Sequence, residues 1–323
     1  MTLAFLFPGQ GSQSVGMGRA LAAEHTAARQ AFEIADRVLG FALSRLCWEG
    51  PEDELRLTKN AQPALLAHSV AALRVLESHG VTPAATAGHS LGEYSACVAA
   101  GALAYEDALR LVRSRGELMF EAGRARPGTM AAVLGLEPAA VEAACIAASG
   151  DGLEVVAANY NAPGQIVISG DVEAVARAGE IAKHKGARRV IPLPVSGAFH
   201  SPLMRPAAER LARAIAAVEV RAPRCPVIGN ARAERIESAA ALRAALEAQL
   251  TQPVRWEASM RLLLADAPGW FIEVGTGRVL CGLLKSVAPE AAAISLTAGE
   301  PADLALALER LGAARPSAAR EIR

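Results

Sequence analysis

A serine set between two glycines, Gly88-His89-Ser90-Leu91-Gly92, is the stretch of this sequence best equipped for chemistry. It fits G-x-S-x-G, the sharp strand-to-helix turn that stands a serine hydroxyl clear of a sheet edge. The setting also fits: small residues 84–87 precede it, and helix-compatible residues 93–100 follow. Glycine lets the backbone turn sharply and lets strand and helix pack closely. The Leu91 N–H, at the start of the helix, would point toward any oxyanion formed at Ser90. With 28 glycines in 323 residues, a chance Gly-Ser turn is the competing reading. Partners elsewhere in the chain must decide between the two.

A serine nucleophile needs a base, normally histidine, and six are present. His68 has Ala64, Leu65, Ala71 and Ala72 at helical neighbour positions and reads as a packed helix residue. His79 precedes Gly80 at a helix C-terminus, where positive charge suits the dipole. His25 and His184 sit among polar neighbours on expected helix surfaces, and His89 is better placed to orient the turn than to act as base. His200 differs. It lies in the loop Ser196-Gly197-Ala198-Phe199-His200, and Ser201 and Pro202 follow as an N-cap and first helical residue that would pin the imidazole. His200 is the expected base, against a structural loop histidine. No Asp or Glu lies between Ser196 and Ala207, so the group holding its tautomer is either a distant carboxylate or a backbone carbonyl.

Arg115 is anomalous. Its neighbours three and four positions away are Leu111, Val112, Leu118 and Met119, so it occupies the apolar stripe of an amphipathic helix. A cation there is costly unless it meets an anion. It pairs with a structural carboxylate, snorkels to the surface, or clamps a substrate carboxylate in its planar fork.

These residues need a frame. The chain opens with a strand at residues 3–7, a turn at 8–12 and a helix over 18–35; further helices are predicted over 61–79 and 106–122 around the Ser90 strand. Strands alternating with long helices predict an α/β fold with a parallel sheet covered on both faces. The Pro8–Ser12 turn and the Ser90 turn would both lie at its carboxyl edge, where such sheets bind ligands. From Thr129 the order becomes strand (129–134), helix (138–148), strand (153–159), strand (165–169), helix (172–185) and strand (188–193). This β-α-β-β-α-β order is ferredoxin-like, with Asn161-Ala162-Pro163-Gly164 turning between the middle strands. A small domain of residues 127–195 is therefore expected inside a larger one made of 1–126 and 196–323. A helix from Leu203, a mixed region, a strand at 270–274 and a polar tail at 314–323 complete the chain.

Composition narrows the options. Lys plus Arg and Asp plus Glu each total 33, which gives no global field toward nucleic acid or membrane. At 52% hydrophobic and 20% charged the chain is ordinary globular protein. Its first apolar run ends at Pro8, too short for a signal sequence or a membrane span. Five cysteines at least 48 positions apart form neither a disulfide framework nor a Cys-x-x-Cys metal site. A soluble protein of a reducing cytoplasm is expected. Gly9-Gln10-Gly11 and Gly275-Thr276-Gly277 follow strands but fail the dinucleotide fingerprint, with Ser14 and Leu280 at the third glycine position. No Walker A or His-Glu-x-x-His sequence occurs, so neither nucleotide nor zinc chemistry is expected.

Taken together, the residues resemble the malonyl-CoA:acyl carrier protein transacylases of bacterial fatty-acid synthesis. The matching segments run nearly end to end: Phe7 to Gln13, Thr58 to Leu65, Gly88 to Tyr94, Arg115 to Met119, Gly128 to Ala132, Asn159 to Gly170, Gly197 to Ser201, Pro253 to Trp256 and Glu273 to Gly275. The resemblance implies an α/β-hydrolase-like large domain with the ferredoxin-like insert. It implies Ser90 as nucleophile, His200 as base, the N–H groups of Gln10 and Leu91 as oxyanion hole, and Arg115 on the malonyl carboxylate. A main-chain carbonyl near Gln249 would orient His200 in place of an acid. Phe199 beside the base favours malonyl over methylmalonyl. The implied reaction is ping-pong transfer from malonyl-CoA to the phosphopantetheine thiol of an acyl carrier protein, by a monomer without cofactor. Lys183, Lys185, Arg188 and Arg189 either compensate a helix dipole or steer an acidic carrier. Competing readings are a free-standing acyltransferase of a polyketide assembly line, a malonate-decarboxylase acyl-transfer subunit, a serine thioesterase or esterase, and a non-catalytic docking subunit. A simple esterase gains nothing from a buried cation, and a degenerate docking subunit should have lost Ser90 or His200.

Overall fold

The computed structural model describes residues 2–195 and 197–312; the expected polar tail and Ser196 of the His200 loop lie outside them. Strand β1 (Leu3–Phe7) leads to α1 (Arg19–Glu24) and α2 (Thr26–Leu39), two helices where one was expected. His25 is extended between them, with φ −123° and ψ 118°. No glycine or proline marks this break. Its cause is tertiary: α1 buries Leu21 and Ala22, while α2 buries Ala28, Ala31, Phe32 and Ala35. His25 therefore lies partly buried at a junction and not on a helix surface.

Next come α3 (Leu43–Glu49), α4 (Glu52–Arg56), α5 (Thr58–Ser78), β2 (Ala85–Gly88), α6 (Gly92–Ala99) and α7 (Tyr105–Ala125). The β-α-β-β-α-β stretch follows in the expected order: β3 (Gly128–Leu134), α8 (Pro138–Ala148), β4 (Val155–Ala162), β5 (Gln165–Asp171), α9 (Val172–His184) and β6 (Arg189–Pro192). A 3-10 turn at Pro202–Met204 runs into α10 (Arg205–Ala216), then β7 (Val227–Ile228), β8 (Arg235–Ile236), α11 (Ala239–Gln249) and α12 (Trp256–Leu264). Last come β9 (Trp270–Glu273), α13 (Val279–Val287), β10 (Ser295–Thr297) and α14 (Pro301–Arg310).

The larger sheet has strand order β10-β9-β1-β2-β7-β8, parallel except for the terminal β8. Successive side chains of β1 point to opposite faces. Leu3, Phe5 and Phe7 join the core with α2, α5 and α7, while Ala4 and Leu6 join the one with α12 and α13. A strand covered on both faces has no reason to alternate in hydrophobicity, and Leu3–Phe7 does not. The smaller sheet is antiparallel, order β4-β5-β3-β6. Ala131 and Val133 face α8 and α9, and Met130 faces the larger core.

Two close approaches carry the site. Helix α5 contains Pro63, which has no N–H to give the carbonyl four residues back. That carbonyl, of Lys59, accepts instead from Arg113 Nη1 on α7 at 2.9 Å. A Cβ at Gly116 would lie 2.7 Å from the Thr58 oxygen, so glycine permits this contact. At the carboxyl edge, Phe7 of β1 pairs with Gly88 of β2. A Cβ on Gly88 would sit 1.9 Å from the Gly92 carbonyl, and one on Gly92 would sit 2.0 Å from the Phe7 oxygen. Gly92→Ala must therefore push apart backbone that packing holds. We expect it to lose about 3 kcal/mol or more of stability by denaturant unfolding. Gly282→Ala, in the exposed interior of α13 with no atom within 4 Å of the new methyl, is expected to gain about 0.5–1 kcal/mol. Equal midpoints for the two variants would contradict this account of the edge.

Candidate active site

Ser90 follows β2 and precedes α6 with φ +53°, a left-handed conformation unusual for a residue with a side chain. Asn230, just beyond β7, holds it there. Its Oδ1 accepts from the Ser90 N–H at 2.7 Å, and its Nδ2 donates to the Gly88 carbonyl at 2.7 Å. His89 braces the turn from the other side, with Nε2 2.8 Å from Asn161 Oδ1 on β4 and its ring 5.5 Å from that of Trp256. The smaller sheet is tied to the same region by Tyr160 N–H to the Val254 carbonyl (2.9 Å) and Val254 N–H to the Ala158 carbonyl (2.8 Å).

His200 arrives from the loop after β6, also with positive φ, +57°. Ser201 pins the loop by donating to the Ala198 carbonyl at 2.6 Å and accepting from the Leu203 N–H at 3.3 Å. Imidazole Nε2 lies 2.7 Å from Ser90 Oγ. Nδ1 lies 3.1 Å from the Gln249 carbonyl and 3.2 Å from the Gln252 carbonyl. Carbonyls only accept, so Nδ1 carries the proton and Nε2 is left to accept from the serine. His200 is 3% exposed; burial, and next the positive Arg115, push its pKa down to about 3. Among the other histidines, His68 is buried with Nε2 2.8 Å from the Gly299 carbonyl, and His79 Nδ1 contacts the Val75 carbonyl at 2.9 Å. Neither approaches Ser90.

Arg115 is 1% exposed, which removes the snorkelling alternative. It forms no ion pair among the described residues, which removes the structural carboxylate. Nη1 donates to Gln62 Oε1 (2.8 Å), and Nη2 donates to Gln249 Oε1 (2.9 Å) and to Ser90 Oγ (3.1 Å). Its Cζ lies 5.8 Å from the centre of the Tyr94 ring, while Nε–H has no partner among the described residues. Desolvating a cation costs several kcal/mol. Three hydrogen bonds to a charged donor, at about 1.5–3 kcal/mol each, offset that cost without neutralising the charge. The result is an intact buried cation facing the serine oxygen.

The Pro8–Ser12 turn lies against the Ser90 turn: a Cβ on Gly9 would be 2.5 Å from the His89 oxygen. The Ser12 hydroxyl donates to the Gly9 carbonyl, and Gln10 Nε2 donates to Thr58 Oγ1, which fixes the turn's shape. The backbone N–H groups of Gln10 and Leu91 donate to no group among the described residues. Phe199 is 6% exposed and lies against Gly197, where a Cβ would come within 2.6 Å of its ring. The four cations near α9 lie outside this cluster, and Lys183 pairs with Glu180 at 2.7 Å. Sequence reasoning missed the roles of Asn230, Gln62, Glu93 and the Gln249 side chain. Gln62 and Glu93 stand inside resembling segments, but polar residues on a helix carry no signal of what they meet.

Residues 4–295 match the acyl transferase domain family. The malonyl CoA-acyl carrier protein transacylase of Bacillus subtilis strain 168 is 48% identical over 304 residues, covering 94% of this chain and 96% of that protein. The acyl carrier protein S-malonyltransferase of Vibrio cholerae superimposes with a TM-score of 0.91 at 42% identity, over 95% of this chain and all of that one. A malonyl-transacylase solved in complex with its type II PKS acyl-carrier protein is equally similar, with TM-score 0.91 and 42% identity over 96% of this chain and all of that one. The chain belongs to the acyl transferase domain family and, within it, to the malonyl CoA-acyl carrier protein transacylases.

Proposed function

We propose that this acyltransferase moves a malonyl group from malonyl-CoA to the phosphopantetheine thiol of an acyl carrier protein through a malonyl ester on Ser90. One observation carries the reading: Ser90 Oγ stands between a neutral imidazole at 2.7 Å and an unneutralised guanidinium at 3.1 Å. His200 Nε2 takes the serine proton as Oγ attacks the thioester carbon. The oxygen of the tetrahedral intermediate lies against the free N–H groups of Gln10 and Leu91. The C–S bond breaks, the departing CoA sulfur recovers the proton from His200, and malonyl remains on Ser90. The carrier thiol then gives its proton to the same imidazole and attacks the ester, returning Ser90 to its hydroxyl form. Arg115 holds the malonyl carboxylate throughout, and Phe199 bounds the acyl pocket beside the base. This chemistry requires no metal or prosthetic group. A polyketide acceptor is the second reading, favoured by the similarity to a transacylase solved with such a carrier. Parallel assays with the host's fatty-acid and polyketide carriers separate the two.

Malonyl-CoA alone should add one malonyl mass to the peptide containing Ser90. Ser90→Ala should abolish the adduct, and His200→Ala should slow its formation by ~10²–10⁴-fold, the usual loss of general base catalysis. An adduct on a cysteine would overturn the assignment.

Malonyl and acetyl thioesters differ by one carboxylate, and a buried unpaired cation rewards that charge while penalising acyl groups that leave it alone. Arg115→Ala should lose malonyl transfer by about tenfold or more, while acetyl transfer holds or rises. Arg115→Lys should recover part, because an ammonium cannot form the fork. Equal losses for both substrates in a folded Arg115→Ala protein would make Arg115 structural.

The base must be neutral to act, and burial plus the Arg115 charge lowers the His200 pKa below 6.5. The acid limb of Ser90 acylation should therefore lie well under that value. Removing the cation in Arg115→Ala should move it upward, though burial keeps it below 6.5. Single-turnover rates from about pH 2.5 to about pH 8, on proteins checked to remain folded at each pH, measure this. A wild-type limb at or above 6.5 would refute it.

A further inference from the structure

Glu93 takes part in none of these steps, yet it is wholly buried in the first turn of α6, three residues beyond the nucleophile. Its Oε2 accepts from Gln249 Nε2 at 2.6 Å, and its Oε1 accepts from the Asn230 N–H at 3.3 Å. Gln249 Nε2 also donates to the Ser90 carbonyl at 2.8 Å. The other end of the same amide, Oε1, accepts from Arg115 Nη2 at 2.9 Å. One side-chain amide therefore spans a carboxyl group and a guanidinium, with the backbone of the nucleophile between them.

An amide turned by half a rotation fills the same volume with its ends exchanged. Here its NH₂ would face the Arg115 donor, and its oxygen would face both the Glu93 carboxylate and the Ser90 carbonyl. Every contact would become donor to donor or acceptor to acceptor. An ionised carboxylate only accepts, so it is compatible with one orientation. In that orientation Gln249 Oε1 and Gln62 Oε1 hold the guanidinium from two sides. Burial raises the Glu93 carboxyl to about 7, opposed by its bonds to Gln249 and Asn230 and by the charge of Arg115.

The geometry points to Glu93 as a positioning residue that, through the side-chain amide of Gln249, holds Arg115 in the pose that receives a substrate carboxylate. This rests on the reading of Arg115 as the carboxylate clamp. Glu93 touches no reacting atom, so its effect belongs in discrimination between acyl groups and not in reactivity toward thioesters at large.

The test is kcat/KM for malonyl-CoA and acetyl-CoA in the wild type, Glu93→Gln, Gln249→Met, the double variant and Arg115→Ala, each with a thermal melt. Glu93→Gln keeps the volume but replaces a carboxyl acceptor with a neutral amide, so the bond that anchors Gln249 weakens while the Ser90 carbonyl and Arg115 still set its orientation. The malonyl-to-acetyl ratio should fall about tenfold in Glu93→Gln and similarly in Gln249→Met, the scale of coupling between contacting polar groups. The double variant should fall no further, because residues acting through one another do not add. A Glu93→Gln protein whose two substrates decline together, or ratio losses that multiply in the double variant, would overturn the proposal. If Glu93→Gln does not fold, Glu93→Asp, which withdraws the carboxyl from the Gln249 amide by one methylene, decides: a reduced ratio supports the relay, and an unchanged one defeats it. Arg115→Ala keeps the failures apart. Equal losses there sink the clamp itself, whereas a selective loss there with an unaltered ratio in Glu93→Gln sinks only the role of Glu93.

Discussion

A guanidinium buried to 1% exposure beside Ser90, with no carboxylate in contact among the described residues, constrains nearly everything around it. A direct ion pair would lower its energy most simply, but it would also occupy the fork and leave nothing for a ligand. The surroundings supply neutral acceptors instead: the amide oxygens of Gln62 and Gln249, the serine hydroxyl and the face of Tyr94. Each stabilises the cation without cancelling its charge. That requirement explains why two helices distant in sequence, α5 and α11, converge on a third, α7. It also explains why Gly116 has no side chain where α7 meets the start of α5.

The same economy shapes the Ser90–His200 pair. Ser90 and His200 both have positive φ, and such conformations persist only where surrounding contacts over-determine them. Asn230 grips the Ser90 turn at two points and Ser201 grips the His200 loop at two. The glycines at 88 and 92 bring β1, β2 and α6 to the contact distances that set the turn. Strain at Ser90 and His200 is thus held by neighbours on several elements, which keep Oγ and Nε2 2.7 Å apart.

Much of this was legible in the sequence where the determining contacts are local. β1 and its turn, the Ser90 strand and helix, and the β-α-β-β-α-β order follow from apolar runs, periodicity and turn residues. The anomaly at Arg115 was visible because helical spacing alone showed it on an apolar stripe. His25 was misread because its helix break comes from packing and not from a local breaker. Asn230 and Gln249 were opaque for a related reason. They follow a two-residue strand and end an ordinary helix, 140 and 159 positions from Ser90. Only the sheet order β1-β2-β7 and the packing of α11 bring them to it. A polar residue at an element's end looks like a cap until topology shows what it faces.

Among the described residues no acid stands behind His200, and the same physics accounts for this. A carboxylate at Nδ1 would orient the imidazole as well as two carbonyls do, and would stabilise its protonated form better. It would also place an anion near Arg115, where burial leaves little solvent to screen the attraction. The guanidinium would then be partly satisfied, and any anionic ligand would gain less from it. The Gln249 and Gln252 carbonyls orient the ring with dipoles only. Glu93 meets Arg115 through an amide that keeps its carboxyl off the fork. The arrangement keeps that carboxyl one residue away from the guanidinium and so leaves the charge beside Ser90 uncancelled.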